Sequence, residues 1–207
     1  MRLFQFLPLG VILFIAGCSF PMDYQTRGVP KIAPGQGREQ VAVVGVDDRE
    51  YLKKKQVDAR YVGIFRDLMV AIPYRWVTKS GKPAVDDLAL NLTKGLRDAG
   101  YKAENVANLD PGSVDAGVAA AKALGTPKIL VIRVSELESD TQWRTEICYD
   151  FTFDLLSKSG KLIASNRNNG SIMIGASPLP TLTAQNTVPK KVSEFMAEGV
   201  KPLLKDF

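Results

Sequence analysis

The sequence of 207 residues contains no histidine and only two cysteines, Cys18 and Cys148. Histidine is the commonest general base and the commonest metal ligand, so its absence excludes serine–histidine and cysteine–histidine catalysis and the usual zinc sites. The sequence also lacks the phosphate-binding Gly-x-x-x-x-Gly-Lys-Ser/Thr motif, the Ser-x-x-Lys motif of serine–lysine hydrolases and calcium-loop spacing. We therefore expect a protein that is not an enzyme, with no catalytic residues, no metal site and no cofactor.

The chain has no strong excess of charge of either sign. Its 27 basic and 22 acidic residues give a formal net charge of +5, which falls to +4 without the first 17 residues because these carry only Arg2. The densest basic run is Lys53-Lys54-Lys55, and no aromatic residue that could stack on bases is interleaved with it. We interpret this run as a solvated loop, with contact to acidic lipid headgroups or the cell wall as the alternative. Nucleic acid is not an expected partner.

A short apolar segment opens the chain. After Arg2, the run from Leu3 to Ala16 holds about 14 residues and is interrupted by Pro8 and Gly10, whereas a membrane-spanning helix needs about 20. A basic start, a short apolar core and small residues at its end are typical of a cleaved export signal. The sequence therefore predicts a signal peptide over residues 1–17.

The end of this segment, Ile15-Ala16-Gly17-Cys18, resembles the lipobox of bacterial lipoproteins at all four positions. The resemblance implies lipidation of Cys18 by a diacylglyceryl thioether and by a third acyl chain on its new amine. Three chains would hold the protein in a membrane, since one chain alone binds only marginally. In such lipoproteins an aspartate after the cysteine often marks the inner membrane, so Ser19 implies the outer membrane and its periplasmic face. The alternative is a soluble export signal with a coincidental cysteine.

The mature chain divides by composition into two parts. Prolines and glycines are frequent up to Gln40, and we interpret residues 18–40 as a lipidated flexible tether of at most roughly 70 Å. Residues 41–207 are predicted to form a single α/β periplasmic domain, since 45% of the chain is apolar and can supply a core. Cys148 has no partner for a disulfide once Cys18 is lipidated, and we interpret it as a buried free thiol.

The apolar periodicity predicts an α/β (α+β) fold: a mixed β-sheet with one parallel βαβ unit, an antiparallel hairpin and three helices packed on the sheet. The helices are predicted over residues 85–99 and 111–124 and from about Pro189 to 203, after a polar loop over residues 176–187. Strands are predicted over residues 41–46, 61–65, 68–77, 101–106, 129–134, 146–155 and 161–174.

Two groups of residues are candidates for binding. Asp47-Asp48-Arg49 follows the first predicted strand, at an edge where ligands often bind in such sheets, whereas Asp86-Asp87 suits the start of a helix. Trp76, Trp143 and Arg144 fall at or near strand ends, and tryptophan and arginine are favoured as interface anchors. Our hypothesis is that these three residues contribute to a partner-binding face. The alternative is that the tryptophans close the ends of the core.

The chain resembles the YajG-type family of bacterial lipoproteins over most of its mature length. Besides the lipobox, the resemblance lies in Val43–Arg49, Val62–Arg66, Thr78–Pro83, Leu96–Tyr101 and Ile129–Ile132. Because this family is largely uncharacterised, the resemblance implies fold and location and no reaction.

We expect a non-catalytic binding or scaffold role in envelope assembly or maintenance. The expected partners are the membrane, through Cys18, and other envelope proteins, while the oligomeric state is not predicted. One alternative is an accessory activator of peptidoglycan synthases, which would have to reach across the cell wall. A second is a periplasmic hydrolase, opposed by the missing nucleophile and base.

Overall fold

The computed structural model describes residues 19–35, 39–55, 57–66, 73–177 and 179–207. The strands are β1 Ser19–Met22, β2 Gln40–Asp47, β3 Tyr61–Arg66, β4 Pro73–Thr78, β5 Lys102–Val106, β6 Lys128–Thr141, β7 Thr145–Ser157 and β8 Leu162–Ile174. The helices are α1 Tyr24–Arg27, α2 Glu50–Lys55, α3 Ala84–Asp98, α4 Val114–Ala123 and α5 Pro180–Val200, followed by a 3₁₀ helix, Lys201–Asp206. The predicted mixed α/β fold is confirmed, and the three predicted helices correspond to α3, α4 and α5.

One mixed sheet joins all eight strands. Its order is β1-β4-β3-β6-β2-β5, with β7 paired to β6 and β8 to β7. Strand β2 is parallel to both β5 and β6, so the predicted crossover from β5 through α4 to β6 is parallel and passes over β2. The long β6 pairs with β2 through its first half, with β3 near its end and with β7 along almost its whole length.

The main core lies between the sheet and the helices α3 and α5, and a smaller apolar cluster lies between the sheet and α4. Strand β7 turns alternate side chains inward, as its sequence predicts: Ile147, Tyr149, Phe151, Phe153 and Leu155. Helix α5 covers them with side chains that are buried at every fourth position: Ala184, Val188, Val192, Met196 and Val200. The ring of Tyr149 stacks on that of Phe195 with centroids 3.8 Å apart. Burial of these two apolar surfaces against each other stabilises the antiparallel half of the sheet.

Helix α5 begins earlier than predicted. It starts at Pro180 and contains Pro189 in its interior, so the predicted polar loop over residues 176–187 is wrong from residue 180 onwards. A proline fits the first turn of a helix because the N–H that it lacks would have no partner there. By this rule either Pro180 or Pro189 could lie in the first turn of the helix. The helix begins at Pro180 because the earlier start buries Ala184 and Val188 in the core.

The segment before residue 41 is part of the domain, which corrects the predicted tether for residues 19–35. Strand β1 pairs in parallel with β4, and Met22 and Tyr24 are buried in the core. The side-chain amide of Asn91, on α3, donates to the carbonyl oxygen of Tyr24 at 2.6 Å. The segment is folded despite its prolines and glycines, because its alternating apolar residues complete the edge of the sheet. The signal peptide and Cys18 lie outside the described residues.

Two smaller differences concern the region between β2 and β4. The basic run Lys53-Lys54-Lys55 belongs to the short helix α2 and is not a loop, since the helix begins at Glu50 directly after the turn that leaves β2. The strand predicted over residues 68–77 is observed from Pro73, and residues 67–72 lie outside the described part. Among the helices of the described ranges, none is long and apolar enough to cross a membrane.

Candidate binding cleft at the carboxyl end of strand β2

An open cleft of about 560 Å³ lies where β2 ends. It is lined by Asp47, Asp48, Arg49, Glu50, Tyr51, Gly112 and Ser135. Two backbone hydrogen bonds fix the exit of the strand: the N–H of Asp47 donates to the carbonyl of Pro111 at 2.6 Å, and that of Asp48 to the carbonyl of Val134 at 2.9 Å. The predicted position of Asp47-Asp48-Arg49, at an accessible edge of a parallel sheet, is confirmed.

Arg49 is a buried structural residue of the cleft wall. Its guanidinium donates to both carboxylate oxygens of Asp47 at 2.7 Å, to the carbonyl of Tyr61 at 2.6 Å and to the carbonyl of Ala59 at 3.0 Å. Burial alone would lower the pKa of Arg49, but the hydrogen bonds and charge of Asp47 outweigh it, and the pKa lies above its ordinary value. Because its donors point to internal acceptors, the guanidinium is not available to an incoming anion.

Two tyrosines pack beside Arg49. The hydroxyl of Tyr51 donates to the carbonyl of Leu137 at 2.8 Å, and that of Tyr61 donates to a carboxylate oxygen of Glu138 at 2.7 Å. Their rings meet edge to face with centroids 6.3 Å apart. Burial raises the pKa of Tyr51 to about 12, and burial together with Glu138 raises that of Tyr61. Both hydroxyls are therefore neutral at physiological pH and serve as hydrogen-bond donors within the wall.

The charge that the cleft presents to solvent is negative. The side chains of Arg49 and Asp47 are 0% and 7% exposed, whereas Asp48 is half-buried and Glu50 is exposed. Over the described ranges, no cluster of three or more histidine, cysteine, aspartate or glutamate side chains could hold a metal ion. The arrangement suits recognition of a group that donates hydrogen bonds or carries positive charge.

The second acidic pair has a structural role. Asp86 and Asp87 lie in the first turn of α3, as predicted, where their charge suits the helix dipole. Asp87 is only 1% exposed, and its oxygens accept from the Gln25 amide at 3.0 Å and the Ser80 hydroxyl at 2.8 Å. Burial raises the pKa of Asp87 despite these two hydrogen bonds, which lower it. Sequence reasoning missed this link between α1 and the turn after β4.

The structure separates the three residues of the predicted partner-binding face. Trp76, on β4, is fully buried, with its ring 5.8 Å from that of Phe20, so its assignment to a binding face is wrong. Strand β1, which was not predicted, pairs with β4 and places Phe20 beside Trp76 in the main core cluster. Trp143 is 59% exposed and Arg144 is also exposed, and both lie in the turn between β6 and β7. Their role in binding stays a prediction.

Cys148 is half-buried on the outer face of β7, which corrects its predicted place in the core. It alternates with core residues and therefore points away from them, beside Glu146, whose carboxylate oxygen lies 3.9 Å from the sulfur. Burial raises the pKa of the thiol, and the neighbouring carboxylates raise it further against the effect of Ser171. The thiolate fraction is therefore small, and so is the expected reactivity.

No protein-family model matches this chain, and no curated protein matches its sequence. A protein of the DUF330 family from Xanthomonas campestris has a TM-score of 0.52 at 14% identity, with 91% of this chain and 97% of that chain covered. The PelC dodecamer from Paraburkholderia phytofirmans has a TM-score of 0.46 at 16% identity, with 82% of this chain and 90% of that chain covered. The LpoB C-terminal domain from Salmonella enterica has a TM-score of 0.35 at 11% identity, with 72% of this chain and 97% of that chain covered. The first of these likenesses shows a fold shared with the Xanthomonas campestris protein, and the resemblance to the YajG-type family stays a prediction.

Proposed function

We propose that this chain is a lipid-anchored lipoprotein of the outer membrane, facing the periplasm, that binds other envelope components and catalyses no reaction. The observation that supports the proposal most is the pairing of β1 with β4, because it places Ser19, the residue directly after the lipobox cysteine, within the folded domain. A lipidated Cys18 would therefore attach the folded domain to the bilayer with no intervening linker.

The cleft at the end of β2 supports binding as the mode of action. Its volume of about 560 Å³ falls within the range of small-ligand sites, and it also suits the side chains of a partner protein. Its buried arginine is committed to internal acceptors, which leaves Asp48 and Glu50 for the ligand. The absence of histidine from the sequence and the raised pKa of Cys148 both argue against an activated nucleophile.

The compact attachment favours partners near the outer membrane over synthases in the inner membrane. With residues 19–35 inside the domain, the reach is that of the domain itself, about 40 Å along the 13 residues of β7. An activator of peptidoglycan synthases would need a longer linker to act through the cell wall. That alternative is therefore less well supported by the structure than local binding.

Fractionation of a cysteine variant tests the anchor. We expect Cys18→Ala to move the protein from the membrane pellet to the soluble fraction, whereas the matched variant Cys148→Ala remains in the pellet after a carbonate wash. A Cys18→Ala protein that stays in the washed pellet would contradict lipid anchoring.

Site-specific photo-crosslinking in cells tests the cleft. A crosslinking residue at Glu50 should capture envelope components that one at Leu162, 54% exposed and far from the cleft, does not. Equal capture at both positions would contradict binding at the cleft. Inner-membrane synthases among the captured proteins would instead support the activator, and turnover of a wall or lipid substrate by the purified protein would support a hydrolase.

A further inference from the structure

One end of the sheet gathers the start of the described chain and several strand ends. A single row of paired residues crosses the sheet there: Ser19, Arg75, Ile64, Asp140, Glu146 and Met173. Neighbouring strands lie about 4.8 Å apart, so the row spans about 24 Å. Strands β3, β6 and β8 run towards this end, and β1, β4 and β7 run away from it. We call it the anchor end: this row together with the β6–β7 turn and the start of α5.

The direction of β1 decides where a lipid anchor would lie. Because β1 runs away from the anchor end, the chain enters the sheet from that side at Ser19. Consecutive Cα atoms are about 3.8 Å apart, so acyl chains on Cys18 would be attached within one residue of this row. The bilayer that holds them would then face the anchor end.

Large apolar side chains are exposed at this same end: Trp143 (59%), Met173 (57%), Leu179 (61%) and Leu182 (53%). They are half of the eight large hydrophobic residues exposed among those that the structure describes. A hydrogen bond from the N–H of Ser177 to the carbonyl of Trp143 brings the start of α5 against the β6–β7 turn. Exposed apolar groups gathered in this way mark an interaction surface, and tryptophan is enriched where proteins meet the membrane interface.

We propose that the anchor end docks on the bilayer surface, with Trp143, Leu179 and Leu182 at the level of the headgroups. This inference rests on the lipid anchor of the proposed function. A bilayer is the occupant because acyl chains attached one residue from Ser19 leave no room for a partner between this end and the membrane. Docking fixes the orientation of the domain and holds the cleft, about three to six residues or 10–20 Å along β6 from the row, away from the bilayer.

The charges at the anchor end predict docking through apolar contact. Arg66 and Asp140 form an ion pair at 2.7 Å, and Arg75 and Arg144 are exposed while Glu146 is half-buried. Among the described residues of this end there are therefore three arginines and two carboxylates, which leave little net charge to attract acidic headgroups. These residues do not form the cluster of basic groups that binds acidic lipids electrostatically.

Quenching of tryptophan emission by brominated lipids tests the proposal. The lipidated full-length protein, purified from membranes, is reconstituted into phosphatidylethanolamine–phosphatidylglycerol vesicles with or without bromine on the acyl chains. The chain has two tryptophans, and Trp76 is fully buried, so the variant Trp143→Phe removes the exposed one. We expect brominated vesicles to reduce the Trp143 emission about two-fold, because a docked ring lies at the interface, and expect almost no quenching in Trp143→Phe.

A matched control places the probe at the opposite end of the sheet. The variant Trp143→Phe/Leu162→Trp carries an exposed tryptophan at the far end of the β7–β8 hairpin, about 40 Å away, and should show no quenching. Flotation of the protein with the vesicles checks the anchor separately: failure to float contradicts the lipid anchor itself. A protein that floats but shows no more quenching at position 143 than at position 162 overturns the docking alone. Protection of Trp143 from aqueous acrylamide without bromolipid quenching would show a protein on this surface and would also overturn it.

Discussion

Replacement of Met22 by alanine tests whether the segment before residue 41 belongs to the folded domain. Met22 ends β1, is 0% exposed and lies in the main core cluster. Met173, on β8, is 57% exposed and provides a matched control for the same substitution. If the segment were a flexible tether, both substitutions would leave the stability of the domain unchanged.

The expected effect follows from burial. Truncation of a fully buried methionine to alanine costs about 2–5 kcal/mol in the free energy of unfolding, because the transfer free energy of the side chain is lost and a cavity remains. For a domain of this size each kcal/mol shifts Tm by about 2–4 °C, so Met22→Ala should lower Tm by about 4–20 °C. Met173→Ala should change the free energy of unfolding by less than about 0.5 kcal/mol.

Urea unfolding of the chain from Ser19 onwards, followed by circular dichroism, measures both values. Trp76 emission gives a local readout, because its ring lies close to Phe20 on β1. Equal free energies of unfolding for Met22→Ala and Met173→Ala would contradict the packing of β1 in the core and return residues 19–35 to a tether.

Three further predictions concern buried or shielded polar groups. Burial raises the pKa of Asp87, so the stabilisation that protonated Asp87 gives the folded state is complete below its unfolded pKa of about 3.9 and is lost as the pH rises through its folded pKa. In urea titrations, the free energy of unfolding of the wild type minus that of Asp87→Asn should therefore fall above about pH 4. A difference that rises with pH would contradict this. Arg49→Met leaves the Asp47 carboxylate buried without its cation and should cost about 3–5 kcal/mol by urea unfolding, whereas Arg60→Met, at an exposed ion pair, should cost nothing measurable; equal losses would argue against the buried pair. Iodoacetamide should alkylate Cys148 far more slowly in the native protein than in urea, and equal rates by mass spectrometry would show a reactive thiol.

Periodicity predicted the elements whose burial follows a simple repeat. The strict alternation from Ile147 to Leu155 is β7, and apolar residues at three- and four-residue steps after Val85 form α3. The start of α5 was not predicted because Pro180 and Pro189 both suit a first helical turn, and only packing on the core distinguishes them. Such a choice depends on tertiary contacts that local sequence does not contain.

The N-terminal segment shows where composition misleads. Its prolines and glycines indicate a linker, but Phe20, Met22 and Tyr24 recur at every second position, and that weak period-two signal marks β1 and the start of α1. Recognition of this strand would also have placed a neighbour beside Trp76, because β1 pairs with β4 and Phe20 lies opposite Trp76. The omission of one short edge strand therefore contributed to two errors.

The sequence predicted where the candidate cleft lies, but it did not predict that Arg49 is bound internally and unavailable to a ligand. Asp47-Asp48-Arg49 was recognised from its place after a buried strand. The internal role of Arg49 depends on the carbonyls of Ala59 and Tyr61, which lie on a neighbouring part of the fold and carry no side-chain signal. Backbone acceptors of this kind become visible only when the chain is folded.

A lipid on Cys18 would join the membrane directly to the first strand of the domain. Mass spectrometry of the native protein extracted from membranes measures this most directly, through the amino-terminal peptide that contains Ser19. The expected result is a peptide that begins at Cys18 and carries the mass of three acyl chains. A peptide with an unmodified Cys18, or a mature chain that begins at another residue, would contradict it.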